Sequence, residues 1–247
     1  MRKRILQFAI AAFVLSGAAA YAGAVEEGAS PAPFSGVTGQ VSLRDPGSKA
    51  PLRDASKVVV WLVPADGAHP VSLSVENAGY QMIQHHKMFQ PSLLVVPVGT
   101  QVEFPNLDPW FHSVFSLYQG KRFDLGLYEA GSRKKVSFDR PGPSYIFCNI
   151  HPEMSAVVLA VESDFFAVSD SSGRVRIEGV PDGKYVMHVW YGNASDKELQ
   201  SLDRTVEIGG DSRVLPPVAV VVTPRHPARH KNKYGSDYDP DVLTPLY

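Results

Sequence analysis

The chain has 247 residues, with 24 Lys and Arg against 25 Asp and Glu and a formal net charge of −1, which leaves no basic footprint for a nucleic acid. Hydrophobic residues make up 44% of it and cysteine occurs once, at Cys148. There is material for one large core or two small ones, and no intramolecular disulfide to staple them.

Arg2, Lys3 and Arg4 precede an uncharged run from Ile5 to Ala20, followed by Ala-x-Ala at Ala20-Tyr21-Ala22 and again at Ala22-Gly23-Ala24. This is the pattern of a secretory signal peptide over residues 1–24, whose removal takes away three positive charges and no acidic residue. The run is slightly short and too rich in Ala and Gly for a spanning anchor, and no later stretch is long and apolar enough to cross a bilayer. The expectation is an exported, periplasmic or secreted protein with no stable membrane insertion.

From residue 36 onward, short apolar runs recur about every ten residues with Gly, Pro, Asn or Asp between them, and no long stretch has a 3.6-residue period. An all-β chain is predicted, with strands at Val37 to Leu43, Lys57 to Val63, Leu93 to Val98, Lys134 to Phe138, Met154 to Val161, Arg174 to Glu178, Lys184 to Tyr191 and Leu215 to Val222. Helices are short at best.

Two stretches carry the chemistry. In Phe104-Pro105-Asn106-Leu107-Asp108-Pro109-Trp110-Phe111-His112, a strand ends in a turn and a new alternating strand starts at the histidine. In Cys148-Asn149-Ile150-His151-Pro152-Glu153-Met154, a thiol, an imidazole and a thioether occupy one tight loop between two apolar strands. Such a loop cannot place two imidazoles and a thiolate around one ion without strain, so a second histidine from a separate strand is required, and His112 fits. Two histidines and a cysteine with a weak axial methionine are the ligand set of a blue-copper electron-transfer site.

Here the chain resembles the cupredoxins, the plastocyanin and amicyanin family. The resemblance rests on Phe89 and Pro91, the Gly99-Thr100-x-Val102-x-Phe104 phrase, the Asn106 turn, His112 and the Cys-x-x-His-x-x-Met loop, and it covers roughly residues 80–162. It implies a Greek-key β-sandwich with one type 1 copper ion held by His112, Cys148, His151 and Met154. It also implies an electron port at His151, inside an apolar patch of Pro152 with Trp110 and Phe111, for a transient redox protein partner. Trp110 and Phe111 have core residues as their plain alternative. Cupredoxins often place Asn directly after the first histidine; this chain has Ser113, whose backbone N–H remains available to the thiolate.

The stretch from Phe165 reads strand, turn, strand, Pro-Gly turn, strand, through Asp170, Gly173, Gly179, Pro181, Gly183 and Tyr185. It resembles the carboxypeptidase regulatory-like, transthyretin-like sandwich, whose opening hairpin is found instead near the N-terminus, in Gly36-Val37-Thr38-Gly39-Gln40-Val41 and Val58 to Leu62. The resemblance implies that the cupredoxin segment is inserted into a sandwich made of residues 36–64 and 165–222; the alternative is two consecutive domains, 36–162 and 165–222. Residues 223–247 lose the apolar alternation and are expected to be an extended or disordered tail.

Enzyme readings find few ligands. Among the eight histidines no His-x-His pair of a multicopper oxidase occurs, and a dinuclear purple-copper site would need a second cysteine. His85 and His86 are the remaining candidates for a second metal, but neighbours on a strand point to opposite faces. His69, His188, His226 and His230 carry no motif. The reading is a non-enzymatic electron carrier, with periplasmic copper binding and delivery as the alternative.

Overall fold

Residues 36–67, 79–117, 120–210, 212–223 and 230–238 are described in a computed structural model of the chain. The signal-peptide segment, His69 and His226 lie outside these residues. The described chain is all-β. Its strands are β1 (Val37–Arg44), β2 (Val59–Pro64), β3 (Ile83–His85), β4 (Met88–Gln90), β5 (Leu93–Pro97), β6 (Gln101–Pro105), β7 (His112–Ser116), β8 (Phe123–Tyr128), β9 (Arg133–Ser137), β10 (Gly142–Cys148), β11 (Ser155–Val161), β12 (Phe166–Val168), β13 (Arg174–Ile177), β14 (Gly183–Trp190), β15 (Arg204–Ile208) and β16 (Val218–Val221). One six-residue helix, α1 (Asp196–Ser201), starts where the Ser195 hydroxyl accepts the Glu198 N–H. Among the described residues no helix is long and apolar enough to cross a membrane.

The middle of the chain builds a five-stranded sheet in the order β5-β11-β10-β7-β8, with β5 and β11 parallel and the other pairs antiparallel. Ribbons β3-β4 and β6-β9, bridged at Gln81–Glu103 and Gln84–Asn106, supply the strands facing it. Met82, Val96, Phe104, Val114, Phe138, Ile146 and Val158 fill the space between and are buried. Strands from both ends of the chain form two further sheets, β13-β1-β16 and β12-β2-β14-β15. Thus β1 and β2 hydrogen-bond to strands that follow residue 165 and to none from the middle of the chain. Val41, Leu43, Val60, Leu62, Val175, Met187 and Val220 make up this second core.

Three apolar runs that do not alternate have a common cause. In β2, Val60 and Leu62 face the second core, whereas Val59 and Trp61 face outward. In β11, Ala156, Val158 and Ala160 face the middle core, and Val157, Leu159 and Val161 face the other way; Leu93 and Val95 of β5 do the same. These outward sets meet each other and Trp190 in a third apolar cluster, so each strand is buried on both faces and needs apolar residues at every position. A fully buried Leu or Val in such a seam contributes about 1.5–3 kcal/mol. The seam joins the middle sandwich to the sheets built from the chain's two ends, and the described residues belong to one compact unit.

The turn before β13 shows why its sequence is so specific. The Asp170 carboxylate accepts the Ser172 and Arg174 N–H groups at 2.9 and 3.0 Å, and Gly173 sits at φ +81° where a Cβ would lie 2.0 Å from the Val41 carbonyl. The tail, expected to be extended or disordered, contributes a docked segment at residues 230–238 that carries no strand or helix of its own.

Candidate metal centre

The site forms where β7 and β10 run side by side. Cys148, the last residue of β10, lies opposite Val114 of β7, and the two-residue period of a strand puts His112 on the same face as Val114. His151 follows from the loop after Cys148. That loop is closed by Cys148 N–H donating to the Met154 carbonyl at 3.2 Å and Met154 N–H to the His151 carbonyl at 3.0 Å. Asn149 N–H donates to the Ser113 carbonyl at 2.8 Å, tying the two ligand segments together through backbone.

His112 Nδ1, His151 Nδ1 and Cys148 Sγ converge on one point. The nitrogens are 3.1 Å apart, and the sulfur lies 3.7 Å from His112 Nδ1 and 3.5 Å from His151 Nδ1. A triangle with these edges has a circumradius of about 2.0 Å, close to the roughly 2.0–2.3 Å at which imidazole nitrogen and thiolate bind a metal ion. The spacing of the three donors therefore fits a metal ion. His112 and Cys148 are fully buried and His151 is partly buried. Met154 is also fully buried, in the same apolar cluster as Cys148. Among the described residues no other group of three potential ligands comes together.

Protonation follows from the surroundings. Asp108, buried four residues before His112, takes the His112 Nε2–H at 2.9 Å; because a carboxylate accepts, the proton sits on Nε2 and Nδ1 presents its lone pair to the site. Burial would push the Asp108 carboxyl up, but the Lys87 N–H, the His112 ring and the His86 N–H together hold it below its ordinary value. Burial lowers His112 more than Asp108 raises it. His151 is pushed down to about 4 by burial, then by His112 and Lys87. Burial also raises the Cys148 thiol, against the pull of the Ser113, Ile150 and His151 N–H groups on its sulfur. Burial thus favours the neutral form of both imidazoles and of the thiol.

Asp108 does more than orient one ring. Its oxygens also take the N–H groups of His86 at 2.6 Å and Lys87 at 2.9 Å, two consecutive residues at φ +54° in the β3–β4 turn. Left-handed backbone in non-glycine residues costs about 1–2 kcal/mol per residue, and these bonds offset that cost. Asn106, fully buried, accepts the Asp108 N–H at 3.0 Å and donates to the Trp110 carbonyl at 2.8 Å, which fixes the turn leading into His112.

Sequence reasoning named His112, Cys148 and His151, which the structure brings together, and Met154, which it buries in the adjoining cluster. It missed Asp108. The available signal was an acid four residues before the histidine in a proline-containing turn; its burial depends on β3–β4, far away in sequence. His85 and His86 do not point to opposite faces: His86 lies in the turn and its ring stacks on His85 with centroids 3.8 Å apart. Trp110 and Phe111 are 36% and 50% exposed, so neither is a core residue, and Lys87 Nζ lies 5.2 Å from the Trp110 ring centroid. His188 stacks on Trp61 and reaches Asp203 at 3.0 Å, away from the site.

No protein-family model matches the chain, and no curated protein matches it. Among solved structures it is similar to a Cu-containing nitrite reductase from Thermus scotoductus SA-01, at 28% identity over 33% of this chain and 22% of that one, TM-score 0.32. It is similar also to a purple cupredoxin from Nitrosopumilus maritimus, at 26% identity over 33% of this chain and 99% of that one, TM-score 0.31. A reduced amicyanin variant matches at 16% identity over 42% of this chain and 99% of that one, TM-score 0.32. The alignment with the nitrite reductase thus spans about a fifth of that protein's length. By their descriptions the first of these neighbours contains copper and the second is a cupredoxin, and each of the three overlaps less than half of the present chain.

Proposed function

We propose that the protein is an exported type 1 copper protein that passes single electrons between redox partners. One observation carries this reading: two imidazole Nδ1 atoms and one sulfur, at mutual distances of 3.1, 3.5 and 3.7 Å, where Asp108 sets the tautomer of His112. His112, Cys148 and His151 would hold the ion, with the buried Met154 as a fourth, weaker ligand. Copper bound there would supply one-electron redox chemistry. The chain's own part is constraint. His112 is held by Asp108, Cys148 by the backbone N–H groups around its sulfur, and His151 by the closed loop, so the donors keep one arrangement in both states.

His151 is the most exposed of the three donors, and Trp110 and Phe111, both exposed, would with Pro152 supply the apolar surface for a small, transient partner contact. With no His-x-His pair and a single cysteine, we read the chain as a carrier and not as an oxidase. We further propose that the copper-binding sandwich is an insertion, with residues 36–64 and 165–222 as the host; the pairing of β1 with β13 and β16, and of β2 with β12 and β14, supports this. The test is repeated redox cycling of the copper-loaded protein. A carrier bleaches on reduction, recovers its colour on oxidation and keeps its ion beside a chelator. Rapid loss of the ion to the chelator would point to copper delivery instead.

A further inference from the structure

The Cys148–Asn149 turn is covered by a segment that arrives from the far end of the chain. Tyr238 Oη lies 2.7 Å from the Cys148 carbonyl, and because a carbonyl only accepts, the hydroxyl hydrogen is committed to it. Lys233 donates its backbone N–H to Asn149 Oδ1 at 2.8 Å, and its ammonium reaches Asp124 of β8 at 2.8 Å. The His230 ring lies against Phe147, the residue before Cys148, with centroids 4.3 Å apart. Its Nδ1 is 3.1 Å from Tyr238 Oη and 3.1 Å from the Lys231 carbonyl. The segment also caps itself: Asn232 Oδ1 accepts the Tyr234 and Ser236 N–H groups at 2.9 and 3.0 Å.

We propose that residues 230–238 are a strap that sets the position of Cys148, with Tyr238 as a positioning residue of the metal centre. Cys148 is then held through its N–H by Met154, through its sulfur by the ligand cluster and through its carbonyl by Tyr238. Lys233 and His230 fix the residues on either side of it. The strap's role at the metal rests on the copper reading above, whereas its hold on Cys148 does not.

The test uses the full chain with Tyr238→Phe, which removes one hydroxyl and keeps the ring. Tyr191→Phe is the control, since Tyr191 packs against the second core. In the metal-free protein, Cys148 is the sole cysteine and its reaction with an aromatic disulfide reagent is followed directly. Tyr238→Phe should speed that reaction about 2- to 12-fold, the range that loss of one neutral hydrogen bond gives, and Tyr191→Phe should leave it unchanged. In the copper-loaded protein, Tyr238→Phe should lower the reduction potential, because the positive end of the hydroxyl no longer faces the cysteine ligand. Equal trapping rates and equal potentials in wild type and Tyr238→Phe would overturn the proposal. A chain that takes up no copper sinks the copper reading alone, and the trapping ratio still decides whether the strap holds Cys148.

Discussion

Replacing Asp108 by asparagine preserves the side chain's shape and takes away one acceptor oxygen, which makes it the sharpest probe of how the site is held. In the native chain Oδ1 takes the His86 N–H at 2.6 Å, while Oδ2 takes the Lys87 N–H and the His112 Nε2–H, each at 2.9 Å. Asparagine has one accepting oxygen and an NH₂ that only donates. If the NH₂ faces His112, Nε2 must accept, the imidazole proton moves to Nδ1, and the lone pair directed at the site is lost. If it faces the β3–β4 turn, a left-handed residue loses its acceptor. Hydrogen bonds to a charged group contribute about 1.5–3 kcal/mol each. His86 is exposed, so water recovers part of that loss, and a net destabilisation of about 1–3 kcal/mol is expected. Loss of such a partner behind a metal-binding histidine lowers metal affinity about 10- to 100-fold. Urea unfolding of the metal-free variant and copper titration against a competing chelator measure the two effects. Wild-type values in both would refute the claim that Asp108 orients His112.

Three further outcomes follow from the same geometry. Cys148→Ser should abolish the thiolate-to-copper absorption while circular dichroism still reports a β fold; a retained blue band would remove Cys148 from the ligand set. Met154→Leu conserves volume in a fully buried position, should cost less than about 1.5 kcal/mol of stability, and should keep copper bound at a shifted potential. Complete metal loss would contradict a weak axial role. The metal-free protein should lose stability as pH falls through the window from about 6.5 to about 4. Burial depresses the folded-state pKa of His112 and takes that of His151 to about 4, so across this window the unfolded chain binds more protons. The slope is up to about 1.4 kcal/mol per pH unit for each histidine. Denaturant midpoints that stay flat from pH 7 to 4 would contradict the neutral, buried imidazoles.

The sequence was most legible where the chemistry is local. Cys148, His151 and Met154 sit within seven residues, so their spacing alone marks a shared loop, and His112 announces itself as the start of an alternating strand. Turn chemistry was equally readable at Asp170 and Gly173, where one side chain and one backbone angle set the hairpin. What escaped depends on contacts between distant segments. Asp108 becomes buried only because the His86–Lys87 turn folds over it. The apolar runs of β2, β5 and β11 gave strands but not the seam, since a strand buried on both faces carries no period that says what covers it. Residues 230–238 lack apolar alternation and dock by hydrogen bonds and one ring contact, which composition does not reveal.

The central claim is that Cys148, His112 and His151 form one copper-binding triad. The visible absorption and electron paramagnetic resonance spectra of residues 25–247 loaded with stoichiometric Cu(II) test it most directly. An intense thiolate charge-transfer band is expected, with the narrow copper hyperfine splitting that a covalent Cu–S bond produces, both lost on one-electron reduction. A colourless protein whose bound Cu(II) gives wide splitting and no thiolate band would contradict it.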